Sequence, residues 1–324
     1  LYGLVSPPSR HQSVAILAQG HLCSRPYPTP ARMATSVLAE SEPIMPFRVM
    51  TWNILAHVHT HWDSAFHGGR FKTVETKEQR LTRHIAIADA IMRELPDVVL
   101  LQEVDEFFMP KDWQGGRLPC GRTLGGYCAH RSYSRTTSGV MEGVVVLLRA
   151  GVWEAHPEYA PVLLPKIPER GWKCGIAVPA RRCGGSEQLC YFVSVHLQWG
   201  NPTGQLRMLE DALAFEGAES CHIVLGGDFN TQPGSELLPL SDFLSSRQLG
   251  MVPHAPNALT CTGGEKEPEL IDYLFCSNSF AVLGSQTCVA GPLPPRDRGP
   301  WSDAAAHDGS DHAWLMTTLG STGS

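Results

Sequence analysis

Residues 222–230 read His-Ile-Val-Leu-Gly-Gly-Asp-Phe-Asn, and this stretch decides how the rest of the chain is interpreted. Residues 222–225 form a short apolar run that predicts a buried strand. Two glycines follow, and then Asp228 and Asn230 stand two positions apart. Because residues i and i+2 of an extended segment face the same side, we expect both side chains to point at one site. An Asx turn after the strand is the alternative interpretation.

The rest of the chain from Pro46 on predicts a mixture of strands and helices. Residues 47–53 alternate in polarity and predict a strand, while residues 98–101 form an apolar run typical of a buried strand. Apolar residues three and four apart predict an amphipathic helix over residues 77–93, and a second helix is predicted over residues 205–215. Further strands are predicted over residues 144–148, 191–195, 271–275 and 313–317. The sequence therefore predicts an α/β domain, with a long loop at residues 291–309.

The composition excludes several classes of protein. Of 324 residues, 43% are hydrophobic and 18% are charged, which is typical of a globular protein and excludes a wholly disordered chain. Lys and Arg number 26 against 32 Asp and Glu, and the formal net charge of −6 argues against binding nucleic acid by bulk positive charge. A nuclease stays open, because a bound divalent metal reverses the local field. No run of about 18 apolar residues occurs, so no membrane-spanning helix is predicted.

The cysteines do not form a recognisable metal or disulfide pattern. Ten of them are scattered between Cys23 and Cys288, and none forms a C-x-x-C pair, so zinc-finger spacing is absent. A chain of this length can build an apolar core without a disulfide framework. We expect most of the cysteines to be reduced and buried.

The first 45 residues differ in composition from the rest. Residues 1–39 contain no Asp or Glu, yet Arg10, Arg25 and Arg32 occur among many Ser and Pro residues. This composition resembles an organelle transit peptide. The equal alternative is that Met33 is the true start and that the residues before it are a gene-model extension. In both cases we expect residues 1–45 to form a disordered tail.

Glu103 closes the apolar run at residues 98–101 and is a candidate metal ligand. Burying an unpaired carboxylate is costly, so Glu103 must either pair with a cation or bind a metal. Mg²⁺ prefers oxygen ligands and takes one or two carboxylates, with water and substrate phosphate filling the other positions. A single Glu at a strand end suits that preference, and a salt bridge to an Arg is the alternative.

Histidines also stand at predicted strand ends. His196 follows the strand at residues 191–195, and Ser310-Asp311-His312 precedes the last strand. An Asp beside a His can orient the imidazole or stabilise its charge. Each motif alone is weak, because a His at a strand end is more often structural.

The ordered combination of these motifs resembles the exonuclease–endonuclease–phosphatase superfamily, whose members cleave phosphate esters with Mg²⁺. Within it, residues 51–56, 101–105 and 196–202 are similar to the branch of the carbon-catabolite-repression deadenylases, nocturnin and the 2′-phosphodiesterases. The resemblance covers Pro46 to about Leu319. Its motifs occur in the order Trp52-Asn53, Gln102-Glu103, His196-Leu197, Gly227-Asp228-Phe229-Asn230, Ile271-Asp272-Tyr273 and Ser310-Asp311-His312.

The resemblance implies a fold and a division of the chain. It implies the DNase-I-like fold, in which two mixed β-sheets pack face to face in a sandwich flanked by helices. The domain would span residues 46–319, followed by a short tail at residues 320–324.

The resemblance also implies a role for each site residue. Glu103 would be the principal Mg²⁺ ligand, with Asn53 close by as a further metal ligand that shares a second ion, and Mn²⁺ would substitute. Asp228 would act as the base or orient the water, and His196 would bind the scissile phosphate. His312 would stabilise the developing charge. The remaining implied catalytic residues are Asn230, Asp272 and Asp311, where Asp311 would orient His312, and the implied substrate-binding residues are His196, Asn230, Pro202 and Arg207.

The function that follows is a Mg²⁺-dependent 3′-to-5′ exoribonuclease acting on RNA, with poly(A) tails as the family substrate. Residues 264–269 hold no aromatic ring to stack on adenine, which weakens the expected preference for poly(A). Two alternatives stay open: a nocturnin-like phosphatase that removes the 2′-phosphate of NADP(H), and a non-catalytic binding module. We expect a cytoplasmic protein, or a mitochondrial or plastid one if residues 1–45 are a transit peptide.

Overall fold

The computed structural model describes residues 44–60, 75–135, 141–164, 175–185, 188–197, 221–232, 234, 238–255, 258–262, 268–283, 289–293, 304 and 308–321. The predicted helix at residues 205–215 lies outside this part of the chain, as do residues 1–43 of the predicted tail and most of the predicted loop at residues 291–309. These three assignments stay predictions. No helix in the described ranges has the length and apolarity needed to span a bilayer.

The described residues form strands and a few helices. The helices are α1 (His57–Thr60), α2 (Lys77–Glu94) and α3 (Leu238–Ser246). The strands are β1 (Phe47–Asn53), β2 (Val98–Asp105), β3 (Tyr127–Arg135), β4 (Met141–Arg149), β5 (Trp153–Ala155), β6 (Val162–Leu163), β7 (Gly175–Arg182), β8 (Cys190–His196), β9 (His222–Asp228), β10 (Leu249–Met251), β11 (Asp272–Ser277), β12 (Phe280–Leu283), β13 (Val289–Ala290) and β14 (Leu315–Ser321).

The strands form two mixed sheets, each built around one parallel pair. The first sheet has the order β12-β14-β1-β2-β4-β3, with β13 beside β14, and the second has the order β10-β11-β9-β8-β7-β5, with β6 beside β7. β1 and β2 are parallel in the first sheet, as are β8 and β9 in the second, and the other described pairings are antiparallel. A parallel pair needs a crossover, which α2 supplies between β1 and β2.

Three apolar layers hold the sheets and helices together. The middle layer joins the two sheets face to face and includes Val49, Leu100 and Phe192. The second layer packs α2 on the outer face of the first sheet, and the third packs α3 on the outer face of the second. Because the central strands are buried on both faces, they are continuous apolar runs rather than alternating ones.

The predicted fold class is confirmed: the domain is an α/β sandwich of two mixed sheets. The helix predicted over residues 77–93 is confirmed as α2, and Thr76 caps it by accepting a hydrogen bond from the Gln79 amide. β7 was not predicted, since it contains Pro179, which cannot donate to a ladder. The Pro179 carbonyl accepts from the amide of His156, just beyond the end of β5, so the missing donor faces the gap between β5 and β6.

The last strand extends further than the sequence indicated. β14 continues to Ser321, two residues beyond the domain end expected at residue 319. Gly320 pairs with Ala281 and Ser321 with Phe280 on β12, and the Ser321 amide donates to the carbonyl of Ile44. The sequence did not show this pairing, because β12 was not among the predicted strands.

Gly226 lies where the two sheets pack too closely for a side chain. A Cβ atom at this position would lie 2.6 Å from Leu274 Cδ2, 2.9 Å from Leu100 Cδ1 and 3.1 Å from Thr51 Cβ. Leu100 and Thr51 belong to the opposite sheet, so a side chain here would push the sheets apart. The glycine therefore sets their spacing just before Asp228.

We expect Gly226→Ala to lower the free energy of unfolding by about 1–3 kcal/mol, because the added methyl overpacks the layer between the sheets. Urea denaturation measures this loss. Gly250→Ala is the matched control, because its added Cβ would meet no atom nearer than 3.6 Å. Equal stability of the two variants would contradict the assigned role of Gly226.

Candidate active site

Six polar side chains predicted from the sequence meet where the two parallel strand pairs end. They are Asn53, Glu103, His196, Asp228, Asp272 and His312, and none is more than 6% exposed. β1 and β2 bring the first two to this edge, and β8 and β9 bring the next two. Asp228 is the register partner of both His196 and Asp272. The sandwich thus gathers into one site residues that are up to 259 positions apart.

Asn53 bridges the two sheets at this edge. Its Nδ2 atom lies 3.1 Å from Glu103 Oε1 and 2.9 Å from Asp228 Oδ2, and it donates to both. Its Oδ1 atom accepts the amide of Leu55 at 3.0 Å. Because the nitrogen faces the carboxylates, Asn53 acts as a bridge, and its share in a metal site stays a prediction.

A β-bulge aims Glu103 into the site. The register between β2 and β4 shifts between Leu101 and Val104, and Glu103 adopts a left-handed backbone with φ of 53°. Such a conformation costs a non-glycine residue about 1–3 kcal/mol and persists where the surrounding structure imposes it. The amide of Ala56 donates to Glu103 Oε2 at 3.1 Å and holds the carboxylate.

One oxygen, Asp228 Oδ2, is the centre of the site. The Nδ2 atom of Asn53 lies 2.9 Å from it, His196 Nε2 lies 3.4 Å from it and His312 Nε2 lies 4.0 Å from it. His196 Nε2 is also 3.7 Å from Glu103 Oε1. Three nitrogen atoms that can donate a proton therefore face a single buried carboxylate oxygen.

Asp272 holds the imidazole of His312. The Asp272 Oδ2 atom lies 2.9 Å from His312 Nδ1, which leaves Nε2 facing Asp228. Burial disfavours a charge on His312, but electrostatic interactions with Cys261, Asp272 and Asp311 outweigh it and hold the pKa of His312 well above its usual range. The surroundings of His312 therefore favour its protonated form when no metal is bound.

Asn230 follows Asp228 in a tight turn. Its amide donates to Asp228 Oδ1 at 2.8 Å, and its φ is 51°. The alternative interpretation, an Asx turn, is therefore present, and the expectation that the Asn230 side chain points into the site with that of Asp228 stays a prediction. The Asn230 Nδ2 atom donates to the carbonyl of Leu197 at 2.8 Å, which joins the loop after β9 to the end of β8.

The predicted roles of three other residues stay predictions. Asp311 was expected to orient His312, but the carboxylate at Nδ1 is that of Asp272. Asp311 is fully buried beside the imidazole, and its catalytic role stays a prediction. Pro202 and Arg207 lie outside the described residues, so their predicted contacts with substrate also stay predictions.

His59 and Glu142 adjoin Glu103, although neither was among the predicted site residues. His59 Nε2 lies 3.0 Å from Glu142 Oε2 and 3.7 Å from Glu103 Oε2. Glu142 opens β4 and is the register partner of Asp105, so it lies at the same sheet edge as Glu103. Glu142 stands just before the predicted strand at residues 144–148, and an acidic residue at that place was the available signal.

A buried ion pair next to the site, between Arg83 and Glu75, was also not predicted from the sequence. Arg83 Nε donates to Glu75 Oε1 at 2.7 Å, and both side chains are buried. The Arg83 Nη1 atom lies 2.8 Å from the Ile54 carbonyl and 3.5 Å from that of Gly309, so it ties the loop after Asn53 to the segment before His312. Arg83 lies on the buried face of α2 with Ile87 and Ile91. A charged residue at an apolar position of the helical pattern was the signal from which a buried ion pair could have been predicted.

The residues of the site fit a divalent cation. Glu103, His196 and Asp228 offer one ligand atom each within 4.8 Å of one another, and so do Asp228, Asp272 and His312. Asp272 Oδ1 is buried and has no hydrogen-bond partner among the described residues. Several buried carboxylates lie close together here, and one of their oxygens accepts no hydrogen bond. Because such a group is costly to bury without a positive charge, the site favours a bound cation.

Buried carboxylates, an amide and two imidazoles at the strand ends of an α/β sandwich define a phosphoester hydrolase. Residues 50–312 match the Endonuclease/Exonuclease/phosphatase family, and the chain belongs to this family. The resemblance found in the sequence is thereby confirmed.

Relatives and solved structures agree with this assignment. The Carbon catabolite repressor protein 4 homolog 3 of Arabidopsis thaliana is 25% identical over 260 residues, which cover 74% of this chain and 53% of that protein. The chain thus spans about half the length of this curated relative. ANGEL2, a 2′,3′-cyclic phosphatase in complex with adenosine-2′,3′-vanadate, aligns with a TM-score of 0.63 and 17% identity, covering 87% of this chain and 97% of that one. The human Nocturnin catalytic domain with bound sulfate aligns with a TM-score of 0.58 and 20% identity, covering 86% and 95%. These two likenesses show the fold.

We expect Glu75→Gln to destabilise the protein in a pH-dependent way. Burial opposes the charge of Glu75, but Arg83 and His57 outweigh it and lower the pKa of Glu75 from 4.5 to about 2. The stabilisation by the charged carboxylate is complete above the pKa of the unfolded state and is lost as the pH falls through the pKa of the folded state. The variant should therefore be less stable than the parent by about 3 kcal/mol at neutral pH, and this difference should shrink as the pH falls towards 2.

Urea denaturation at a series of pH values tests this expectation. Glu158→Gln is the control, because Glu158 is exposed. If the stabilities of the parent and Glu75→Gln differed equally at all pH values, the ion pair would not be the cause.

We expect His312 to remain protonated above the usual titration range of histidine in protein freed of divalent cations. Asp272→Asn removes the carboxylate at Nδ1, so it should lower the pKa of His312. Side-chain ¹⁵N NMR across neutral and alkaline pH measures both, with His312→Gln to assign the signal. His254 is the internal control, because burial lowers its pKa. If the signals of His312 and His254 changed over the same pH range, the expectation would be contradicted.

Proposed function

We propose that the protein is a Mg²⁺-dependent phosphoesterase that hydrolyses RNA from its 3′ end, as a 3′-to-5′ exoribonuclease. The observation that carries this proposal is the convergence of Asn53, His196 and His312 on Asp228 Oδ2, at 2.9, 3.4 and 4.0 Å. Phosphodiester hydrolysis needs an oriented water, an acceptor for its proton and donors for the charge that develops on the phosphate. This cluster provides one candidate group for each.

Asp228 is the candidate for the group that orients the water and accepts its proton. Asn53 fixes its Oδ2 atom and Asn230 its Oδ1 atom, so the carboxylate has one orientation. His196 and His312 flank it and present Nε2 atoms as donors to the oxygens of the phosphate. Asp272 keeps the Nε2 atom of His312 directed at that position by holding Nδ1.

Glu103 is the candidate for the principal cation ligand, and Asp228 and Asp272 supply further carboxylate oxygens nearby. A Mg²⁺ ion there would neutralise charge on the scissile phosphate, and Mn²⁺ would substitute. Because all three carboxylates are buried, little water competes with them for the cation.

Two other substrates are candidates for the same groups. ANGEL2 is described as a 2′,3′-cyclic phosphatase, and its alignment along nearly its whole length supports a 2′,3′-cyclic phosphate at an RNA 3′ end as a second candidate. The 2′-phosphate of NADP(H) is the third, since it is also a phosphate ester of a ribose hydroxyl. We propose RNA as the first candidate substrate because the chain matches a carbon catabolite repressor protein in sequence.

The test offers the full chain, with Mg²⁺, four substrates side by side: oligo(A), a mixed-sequence RNA, an RNA with a 2′,3′-cyclic phosphate, and NADP⁺. Stepwise shortening of RNA from the 3′ end supports the exoribonuclease. Release of phosphate from NADP⁺ alone, or ring opening of the cyclic phosphate alone, would transfer the proposal to that substrate.

We expect Asp228→Asn to lower kcat about 10²–10⁴-fold, the usual contribution of a general base, and Glu103→Gln to weaken Mg²⁺ activation. Glu106→Gln is the matched control, because this exposed carboxylate lies three residues after Glu103. Circular dichroism verifies that each variant is folded. If folded Asp228→Asn cleaved every substrate at the parental rate, the assigned chemistry would be wrong.

A further inference from the structure

A second cluster of ligand atoms includes His312 together with Cys261 and Asp311, two residues that the proposed reaction does not use. Cys261 Sγ, a carboxylate oxygen of Asp311 and a ring nitrogen of His312 all lie within 4.8 Å of one another. The three residues are at most 2% exposed. The cluster differs from the Glu103 side of the site because it contains a thiol.

Backbone pairing holds the three residues in place. Cys261 forms a bridge with His312 on one side and with Glu269 on the other. The amide of Thr262 donates to the Asp311 carbonyl at 3.0 Å, and the amide of Ala313 donates to the Thr260 carbonyl at 2.8 Å. The relative positions of the three side chains are therefore set by the same short ladder that presents His312 to the catalytic site.

A tetrahedral Zn²⁺ ion with bonds of about 2.0 Å to nitrogen or oxygen and 2.3 Å to sulfur separates its ligand atoms by about 3.3–3.5 Å. The three ligand atoms now lie within 4.8 Å of one another. Side-chain rotations that move each ligand atom by about 1.5 Å or less would bring them to the separation that Zn²⁺ requires. Sulfur, imidazole and carboxylate together select Zn²⁺ over Mg²⁺, because Mg²⁺ prefers oxygen alone.

We propose that Cys261, Asp311 and His312 form a binding site for a thiophilic divalent cation, Zn²⁺, which is distinct from the cation site at Glu103 and acts against it. Both ring nitrogens of His312 already face carboxylates of the proposed catalytic site, because Nδ1 contacts Asp272 and Nε2 faces Asp228. A cation on either nitrogen displaces one of these contacts. Zn²⁺ would therefore remove His312 from the hydrolytic reaction.

Co²⁺ is the probe, because it substitutes for Zn²⁺ and gives a near-ultraviolet charge-transfer band only when a thiolate binds it. The full chain, reduced and titrated with Co²⁺, should develop this band at one equivalent per chain, and Zn²⁺ should abolish it. Cys261→Ser and Cys261→Ala should both lose the band. Cys276→Ser, which replaces another buried cysteine outside the cluster, should retain it.

This measurement does not require turnover, so its failure is distinguishable from failure of the proposed function. No thiolate band in the folded parent protein would overturn the site, as would a band that survives both Cys261 variants or disappears in Cys276→Ser. Circular dichroism and thermal unfolding verify that each variant is folded.

The inhibitory action rests on the proposed function. With Mg²⁺ present, the Zn²⁺ concentration for half-maximal inhibition should rise about tenfold or more in Cys261→Ser, relative to the uninhibited rate of the same variant. Cys276→Ser should be inhibited like the parent. If Co²⁺ binds through Cys261 but Zn²⁺ inhibits the parent and Cys261→Ser equally, the claim of antagonism is wrong.

Discussion

The hydrogen bonds from the Asn53 amide to Glu103 and Asp228 are the interaction on which the site depends, at 3.1 and 2.9 Å. The two carboxylates belong to different sheets, and both are buried. Without a donor between them they would repel each other and lack solvation, which is costly in the interior. One amide group satisfies both, and it can do so only because both parallel strand pairs end at the same edge of the sandwich.

Several secondary contacts keep this junction in place. The bulge in β2 directs Glu103 inward, and the hydroxyl of Ser310 donates to the Asn53 carbonyl at 2.7 Å. The Arg83–Glu75 pair joins the loops on either side of the site. Gln102 donates to Ser194 Oγ at 3.0 Å across the sheets, one residue before Glu103. The side chains of the site therefore stand on strands and loops that are fixed to each other, which is what a preorganised electrostatic site requires.

The site has two chemically different sides that share His312. Towards Glu103 the ligand atoms are carboxylate oxygens and imidazole nitrogens, which suit a hard cation and a phosphate. Towards Cys261 a thiol replaces one of the oxygens, which suits a softer cation. Because Asp272 and Asp311 both act on the same imidazole, the charge of His312 depends on groups from both sides.

The sequence by itself determined the class of fold, the family, and the positions of the six residues that meet in the site. Apolar runs such as 98–101 and polar residues at their ends are local patterns, and the order of the motifs is a property of the chain. Only the tertiary structure decided which groups touch: that Asp272 rather than Asp311 holds His312, that Asn53 joins Glu103 to Asp228, and that Cys261 lies beside His312. These contacts join strands from different parts of the chain, and their geometry arises from sheet register, the bulge and the spacing at Gly226, none of which leaves a signal at short sequence separation.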